Sequence, residues 1–578
     1  MTILGLNFSI DSAAGIVGRE GIVAAASEER FNRDKHTRSF PQGALNFCLT
    51  QAGLALTDVD AVAFFWNPGE HLEGFNVRRA AAWRHHTEYL VNVPNYLLSL
   101  VANAGKPNAV EYVYQELALK GQKSLRIYYV DHHLAHAAAS FFVSPFEEAA
   151  ILTQDGYGET TCTLLARGRG TTITPLRRIR FPHSLGAFYA AITQYLGHRA
   201  NWSEGKVMAL AAYGKPTYYD RLRQLVRFDD GSVEVDLSYF SYYMERKRRY
   251  TEKFVAEFGP ERRPDEPLDQ RHYDIAASAQ KVLEEAMLAL ARWLHGKTGL
   301  KRLCLGGGVA LNSVANGRIL REGPFEEVFI QPAAGDEGSS VGAALYVYHS
   351  LFRQRREYVM SHAFLGPEYS DSEIEGELRE WGLRYRRCDD IAGVSARLLA
   401  DGNFLGWFQG RMEFGPRALG ARSILADPRR QDAKDALNAR VKHREAYRPF
   451  APTVLEEACG EYFSCSYPSP FMLLVYDVRP EKRAVLPAVT HADGTARVQT
   501  IREDQHPVYH RLVKVFGERT GVPVVLNTSF NFRGEPIVMT PRDAVRCFAT
   551  TGLDALAIGS FLVTKDPAKL ALLDGDER

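Results

Sequence analysis

Four stretches of the chain repeat one design, an apolar run that ends in a carboxylate or in glycines: ILGLNFSID (3–11), AAILTQDGYGE (149–159), LCLGGGVALN (303–312) and FIQPAAGDEG (329–338). Runs of this length predict buried strands, and strands interleaved with helical patterns predict a layered α/β fold. Ligands of open α/β sheets collect beyond the strand ends, where Asp11, Asp155 and Asp336 stand. Glycines at such ends let backbone amides approach an anion closely. Gly306, Gly307 and Gly308 lie between a strand and a helix start and so make an anion or nucleotide site, although no G-K-[ST] follows as a Walker A loop requires. DGYG serves equally well as a hairpin turn into a returning strand at 160–165. The first fifty residues read as a strand over 3–8, a turn at 11–15 and strand returning through 27.

The stretch VDHHLAHAAAS (130–140) adds imidazoles to this frame. A helix entered after the apolar strand 125–130 puts His132 and His136, four residues apart, on one face and turns His133 away. The alanines and Ser140 behind them predict close packing on a sheet. Alone, H-x-x-x-H is as readily a pair of hydrogen-bonded surface histidines. Joined by Asp155 and Asp336 it becomes a two-His, two-Asp set, whose nitrogen and oxygen donors suit iron(II), with manganese or zinc as alternatives. Such a site with room for substrate oxygens acts as a Lewis acid rather than a structural clip.

Elsewhere the reading is plainer. EERFNRDKH (28–36) predicts a solvated charged loop, and residues 70–106 a helical, aromatic and basic insertion over a substrate cleft. A helix after Ser184 carries Phe188, Ile192 and Leu196 as core residues, and a glycine-punctuated loop then presents Glu204, Gly205 and Lys206. Residues 217–267 form a polar, aromatic excursion, followed by a long amphipathic helix over 274–298. Lys+Arg 70 against Asp+Glu 69 leaves no field for nucleic acid or an anionic membrane, so anion binding must be local. The seven scattered cysteines lack a C-x-x-C pair and fit reduced thiols. No apolar run reaches spanning length and Asp11 interrupts any signal-peptide core, so a soluble cytoplasmic protein is expected.

Past a linker at 354–366, Gly- and Pro-rich turns carry Arg417, Arg422, Lys442, Arg448 and Arg497. Guanidinium forks match phosphate oxygens bidentately, so converging arginines predict a polyanion. Asn527, Thr528 and Ser529 would add amide and hydroxyl donors, and Gly415-Pro416 would fix the turn that presents Arg417.

HHLAH, DGYGE, EGKVMALAAYG, GGGVALN and AAGDEGSS, in this order, resemble the N-terminal half of the O-carbamoyltransferase family of natural-product biosynthesis, of the TobZ, NodU and CmcH type. GWFQGRMEFGPRALGARSILADP (406–428), VKHREAYRPFAP (441–452), RVQT (497–500) and LNTSFNFRGEP (526–536) are similar to its C-terminal domain. The resemblance implies an α/β chain in two parts: an actin/sugar-kinase-like, threonylcarbamoyl-transferase-like metal-binding domain over 1–353 and a YrdC-like domain over 367–578. It implies that carbamoyl phosphate and Mg-ATP give carbamoyladenylate, whose carbamoyl group passes to a hydroxyl of a secondary metabolite such as a glycosylated macrocycle, polyketide or aminoglycoside. Catalytic roles then fall to His132, His136, Asp11 and Lys35, with His132, His136, Asp155 and Asp336 holding the metal. Lys35, Gly306, Gly307, Gly308, Asn312, Glu204, Lys206 and Arg417 would contact the nucleotide or adenylate, and Lys442, Arg448, Arg497, Asn527 and Ser529 the carbamoyl phosphate.

One position departs from the family pattern. Where members commonly read H-D-S-A-A, this chain has Ile10-Asp11-Ser12-Ala13-Ala14, which leaves no assigned base; Asp11 and substrate- or metal-assisted proton transfer stay open. Two other readings share the folds: a tRNA threonylcarbamoyl-transferase fusion, against which the charge balance speaks, and a non-catalytic nucleotide-binding protein. The aromatic, basic stretches 66–106 and 218–263 are the expected acceptor walls, and a homodimer is compatible with the sequence.

Overall fold

The computed structural model describes residues 1–67, 111–118, 124–245 and 247–566. The insertion expected at 70–106 lies outside the described residues. The chain divides into two compact units, residues 1–28 with 36–360 and residues 29–35 with 361–578.

In the first unit β1 (Ile3–Asn7), β2 (Ala13–Gly18) and β3 (Gly21–Ser27) form an antiparallel meander, because small and β-branched residues alternate with glycine turns. β4 (Ala61–Phe64) lies parallel to β1, β5 (Tyr112–Leu117) forms an edge, and β6 (Leu125–Val130) lies parallel to β4. A second sheet repeats the pattern. β7 (Glu148–Gln154), β8 (Thr161–Arg169) and β9 (Thr172–Arg180) form its meander. After a separate hairpin of β10 (Val226–Asp229) and β11 (Ser232–Val235), β12 (Arg302–Gly306) joins parallel to β7 and β13 (Glu327–Ile330) parallel to β12. Thus β3-β2-β1-β4-β6 and β9-β8-β7-β12-β13 trace one strand order twice.

Helix Asp336–Leu345 packs on β1 and β2, and helix His132–Phe141 on β7 and β12. The two helices also pack on each other, which the expectation of a helix against a sheet did not include. Small residues make this possible, since a Cβ on Gly342 would overlap the Ala135 carbonyl and one on Gly5 the Ser340 carbonyl. Phe188, Ile192 and Leu196 are fully buried core, as their spacing predicts.

The second unit is built on a nine-stranded mixed sheet that includes β14 (Tyr385–Arg387), β15 (Leu405–Phe408), β16 (Arg422–Ala426), β17 (Ala451–Leu455), β18 (Leu474–Asp477), β19 (Thr495–Ile501) and β20 (Val524–Ser529). Trp407, Tyr509, Leu512 and Phe516 fill the core on one face. Residues 29–35 belong to this unit rather than forming the solvated loop that their charge predicts. Glu29–Asn32 is a short helix, Phe31 packs on Met412, Ala418, Ile537 and Met539, and Arg33 donates to the Ile537 carbonyl (2.8 Å) and pairs with Glu535 (3.2 Å). All seven cysteines are free thiols. Among the described residues no helix is long and apolar enough to cross a membrane.

Candidate metal centre and anion cluster

The imidazoles of His132 and His136 meet at the start of their helix, Nε2 to Nε2 3.1 Å. Asp155, the residue after β7, brings Oδ2 to 3.2 Å from His132 Nε2 and 3.3 Å from His136 Nε2. Asp336 opens the helix Asp336–Leu345 rather than ending a strand, and its Oδ1 stands 3.7 and 3.6 Å from the same nitrogens. Donors bound about 2.1 Å from one ion stand roughly 3.0–3.5 Å apart, so this donor set fits a divalent metal without rearrangement. Burial opposes charge on His136, but hydrogen bonds to Asp155 and Asp336 prevail and push its imidazole up to about 9. Burial likewise opposes charge on Asp155, yet the two imidazoles hold its carboxyl well below the usual range. Asp336 is pushed up by burial and by the charge of Asp155. Two half-buried acids facing two buried imidazoles make this set a candidate cation site.

The surroundings hold the four donors in place. Asp131 caps the histidine helix at Leu134 N (2.7 Å) and pairs with Arg178 (2.8 Å). Glu159, the last residue of DGYGE, accepts from His132 N (3.1 Å) and Asn67 N (2.5 Å). Neither Asp131, Arg178 nor Glu159 was singled out from sequence, although an acid before a histidine run is an N-cap signal. His133 turns away, as expected, to Thr153 Oγ1 (2.8 Å). Gly306, Gly307 and Gly308 line the same site: Cβ atoms there would stand 2.9 Å from the His136 carbonyl, overlap the Gln154 carbonyl, and stand 3.0 Å from Asp155 Oδ1, respectively. Phe65 and Trp66 pack on the His132 ring, at 5.3 and 5.7 Å between centroids.

Other predicted residues are placed differently. Asn312 caps the helix Ser313–Glu322 and exchanges both amide hydrogen bonds with Gln280 (2.9 Å each), so its side chain is already engaged within the fold. Glu204 and Lys206 lie in the first turn of the helix Glu204–Ala211, not in a loop, and burial pushes Glu204 up. Asp11 hydrogen-bonds His36 (Oδ1 to Nδ1, 2.6 Å). Lys35 belongs to the second unit, not to the one holding the metal quartet.

In the second unit Lys442 Nζ reaches Asn531 Oδ1 (2.9 Å), the Asn531 carbonyl (3.0 Å) and Ser529 Oγ (3.4 Å). Burial, then Arg444, Arg448 and Lys35, hold its ammonium well below the ordinary value. Arg497 is likewise depressed by burial and by Arg417, Arg444 and Arg448, and Arg444 is pushed down to about 9 by burial and Arg448. Cations that disfavour one another in this way make this cluster a candidate anion site. Sequence reasoning missed Arg444, Asn531 and also Glu413, whose Oε1 closes the Arg417 loop by accepting from Leu419 N (2.8 Å) and Ala421 N (2.7 Å). Asn527 is buried behind the cluster, donating to Gln499 Oε1 (2.9 Å). Arg422 does not join it. Fully buried, it donates to the carbonyls of Gln409, Gly410, Ala421 and Pro367 at 3.0–3.1 Å and stacks on Phe408, a clamp rather than a phosphate ligand.

Comparison with known proteins agrees with this division. Residues 2–345 match the family model described as Carbamoyltransferase N-terminus, and residues 396–565 the one described as Carbamoyltransferase C-terminus. The chain is 43% identical to the protein named sll1178 of Synechocystis, over 97% of this chain and 96% of that protein. It is 41% identical to the nodulation protein NolNO of Sinorhizobium fredii, over 97% and 80% of the two chains. A 3'-hydroxymethylcephem-O-carbamoyltransferase of Amycolatopsis lactamdurans is 33% identical over 61% of this chain and 64% of its own.

Proposed function

We propose that this chain, which belongs to the carbamoyltransferase family, is an ATP-dependent O-carbamoyltransferase that works in two steps. The observation that carries the reading is the pairing, in one chain, of a buried cation site with a separate cluster of mutually repelling cations. Carbamoyl phosphate and Mg-ATP are small polyanions suited to that cluster. Lys442, Arg448, Arg497 and Ser529 would hold the carbamoyl phosphate, with Asn527 supporting them from behind and Arg417 facing the ATP phosphates. Their product would be carbamoyladenylate, with pyrophosphate and phosphate released. This unit is read as YrdC-like, and the doubled strand order of the first unit as the actin/sugar-kinase-like plan.

Transfer would follow at the quartet. His132, His136, Asp155 and Asp336 would hold a divalent metal, iron(II) or else manganese or zinc, which when bound supplies Lewis acidity toward an acyl oxygen. The close backbone at Gly306–Gly308 would take the adenylate phosphate through its amides. An acceptor hydroxyl attacks the carbamoyl carbon and AMP leaves. AMP is a far better leaving group than the oxide that free carbamate would have to expel. Phe65 and Trp66 keep the His132 side of the site dry, and the exposed part of Trp66 offers a face for a glycosylated or otherwise hydroxylated natural product. The remainder of the stretch 66–106 expected to bind the acceptor lies outside the described residues.

The test omits the acceptor. Purified protein with ATP, carbamoyl phosphate and magnesium should release pyrophosphate and form carbamoyladenylate by mass spectrometry. Arg448→Ala should abolish this step and His136→Ala should spare it. No consumption of carbamoyl phosphate by metal-loaded protein would overturn the reading.

A further inference from the structure

Ile10 leaves the start of the chain without the imidazole that would take a proton from the acceptor, yet the fold supplies one from elsewhere. Asp11 closes the turn after β1 and His36 returns the chain to the first unit; the two side chains meet at 2.6 Å, Oδ1 to Nδ1. Both residues sit at positive φ, 56° and 58°, a backbone that side-chain-bearing residues rarely adopt and keep where the surroundings impose it. The turn is tied to the metal quartet. Asn7 Nδ2 donates to the carbonyls of Ile10 (3.1 Å), Asp11 (3.2 Å) and Asp336 (2.7 Å), and Ser9 Oγ donates to Asp336 Oδ2 (3.3 Å). A single asparagine therefore fixes the distance between the Asp11 turn and one proposed metal ligand. Trp202 packs against the His36 ring at 4.9 Å between centroids, the two planes tilted by 33°, and Arg199 lies over the Trp202 ring, which restricts the imidazole. About a quarter of each side chain, 23% for His36 and 26% for Asp11, still reaches solvent.

We infer that His36 is the general base of carbamoyl transfer and that Asp11 is its positioning residue. The inference rests on the two-step reading above. A hydroxyl is a poor nucleophile until its proton has somewhere to go, and a carboxylate behind an imidazole fixes the tautomer and steadies the imidazolium that forms. In the tautomer that carries its proton on Nδ1, facing Asp11 Oδ1, Nε2 is the nitrogen whose lone pair takes the proton. The acceptor O–H bond breaks toward Nε2, the oxygen electron pair forms the new C–O bond to the carbamoyl carbon, and the bond from that carbon to the AMP oxygen breaks. AMP leaves with that electron pair, and the imidazolium proton passes to solvent.

The experiment compares two nucleophiles on the full chain supplied with ATP, carbamoyl phosphate and metal. One is the most readily carbamoylated member of a panel of sugars and hydroxymethyl compounds. The other is hydroxylamine, which attacks without a base to give hydroxyurea and AMP. His36→Ala should lose hydroxyl transfer by about a hundredfold or more in kcat, with KM little changed, while still making hydroxyurea, and added imidazole should restore part of the hydroxyl reaction. Asp11→Asn should lose about tenfold or more in kcat and gain little from imidazole. Undiminished hydroxyl transfer by His36→Ala would overturn the inference, as would a parallel loss of both reactions without rescue. Wild-type protein that makes hydroxyurea but carbamoylates no hydroxyl would overturn the hydroxyl-acceptor reading and this inference with it; wild-type protein that releases no pyrophosphate would overturn the two-step scheme itself.

Discussion

Metal uptake by the quartet should depend steeply on pH, and His136 sets the slope. In the metal-free site burial disfavours its charge, but Asp155 and Asp336 outweigh burial and push the imidazole up to about 9. A metal needs that nitrogen neutral, so below about 9 a proton must leave before the ion enters. Affinity then rises about tenfold per pH unit up to that value and levels off above it. Between pH 7 and pH 9 the change is about fiftyfold, or about 2.3 kcal/mol. An unperturbed imidazole titrating near 6.5 would change affinity less than about twofold over the same interval. The assay is competition for Mn(II) between stripped protein and a chromophoric chelator at pH 7, 8, 9 and 10, corrected for the chelator's own titration. Asp155→Asn removes the carboxylate that holds the proton, so its profile should flatten over pH 7–9 even as its overall affinity falls. A flat wild-type profile across that interval would refute the reasoning, because no shared proton would then stand in the ion's place.

The same proton stabilises the metal-free fold. Because the folded-state value is raised, the contribution is full below about pH 6.5 and is lost as pH rises through about 9; hydrogen exchange in the helix His132–Phe141 should quicken over that range in stripped protein and not in loaded protein. Arg422→Met would leave four carbonyls without their buried donor and should cost on the order of 3 kcal/mol or more, read as a lower thermal midpoint of the second unit. Arg497→Met should abolish pyrophosphate release while leaving the thermal midpoint unchanged or higher, since it removes a cation that Arg417, Arg444 and Arg448 repel. Gly342→Val would drive a side chain into the Ala135 carbonyl and should cost about 3 kcal/mol or prevent folding, with metal retention falling in parallel.

What could be read from the chain beforehand follows from the range of the interactions involved. The facing of His132 and His136 is a matter of helical period, and the placing of Asp155 at the end of β7 a matter of where an apolar run stops. Both are local. The charged segment 28–36 looked solvated because its partners Glu535 and Asp543 lie some five hundred residues further on. His36 escaped attention for the same reason, as its bond to Asp11 depends on two positive-φ turns that no periodicity announces. Arg417 and Arg422 are five residues apart in one glycine-rich stretch and meet opposite fates. Strand β16 begins at Arg422 and turns its side chain under Phe408 and four carbonyls, whereas Arg417 stays on the loop that Glu413 closes. Residue type alone could not separate them. Glu204 carried a local signal that went unused, an acid in a first helical turn after a serine.

The net charge of +1 conceals what matters most about this molecule's electrostatics. In the first unit Asp155 and Asp336 face two imidazoles, the set proposed to hold a cation. In the second, Lys442, Arg444 and Arg497 are depressed by burial and then by neighbouring cations, Arg448 acting on all three, the set proposed to take phosphates. The concentration of like charge in the second unit costs folding energy that the proposed anion would repay on binding. On the two-step reading, opposite local fields in separate units would also order the chemistry. Polyanionic donors would be favoured at the cation cluster and repelled by the bare carboxylates of the quartet, so an anionic adenylate would be welcome there only after a metal had reversed the sign of that site. Transfer should therefore be lost on metal stripping while adenylate formation persists, a dissociation of the two half-reactions that a single shared active site would not show.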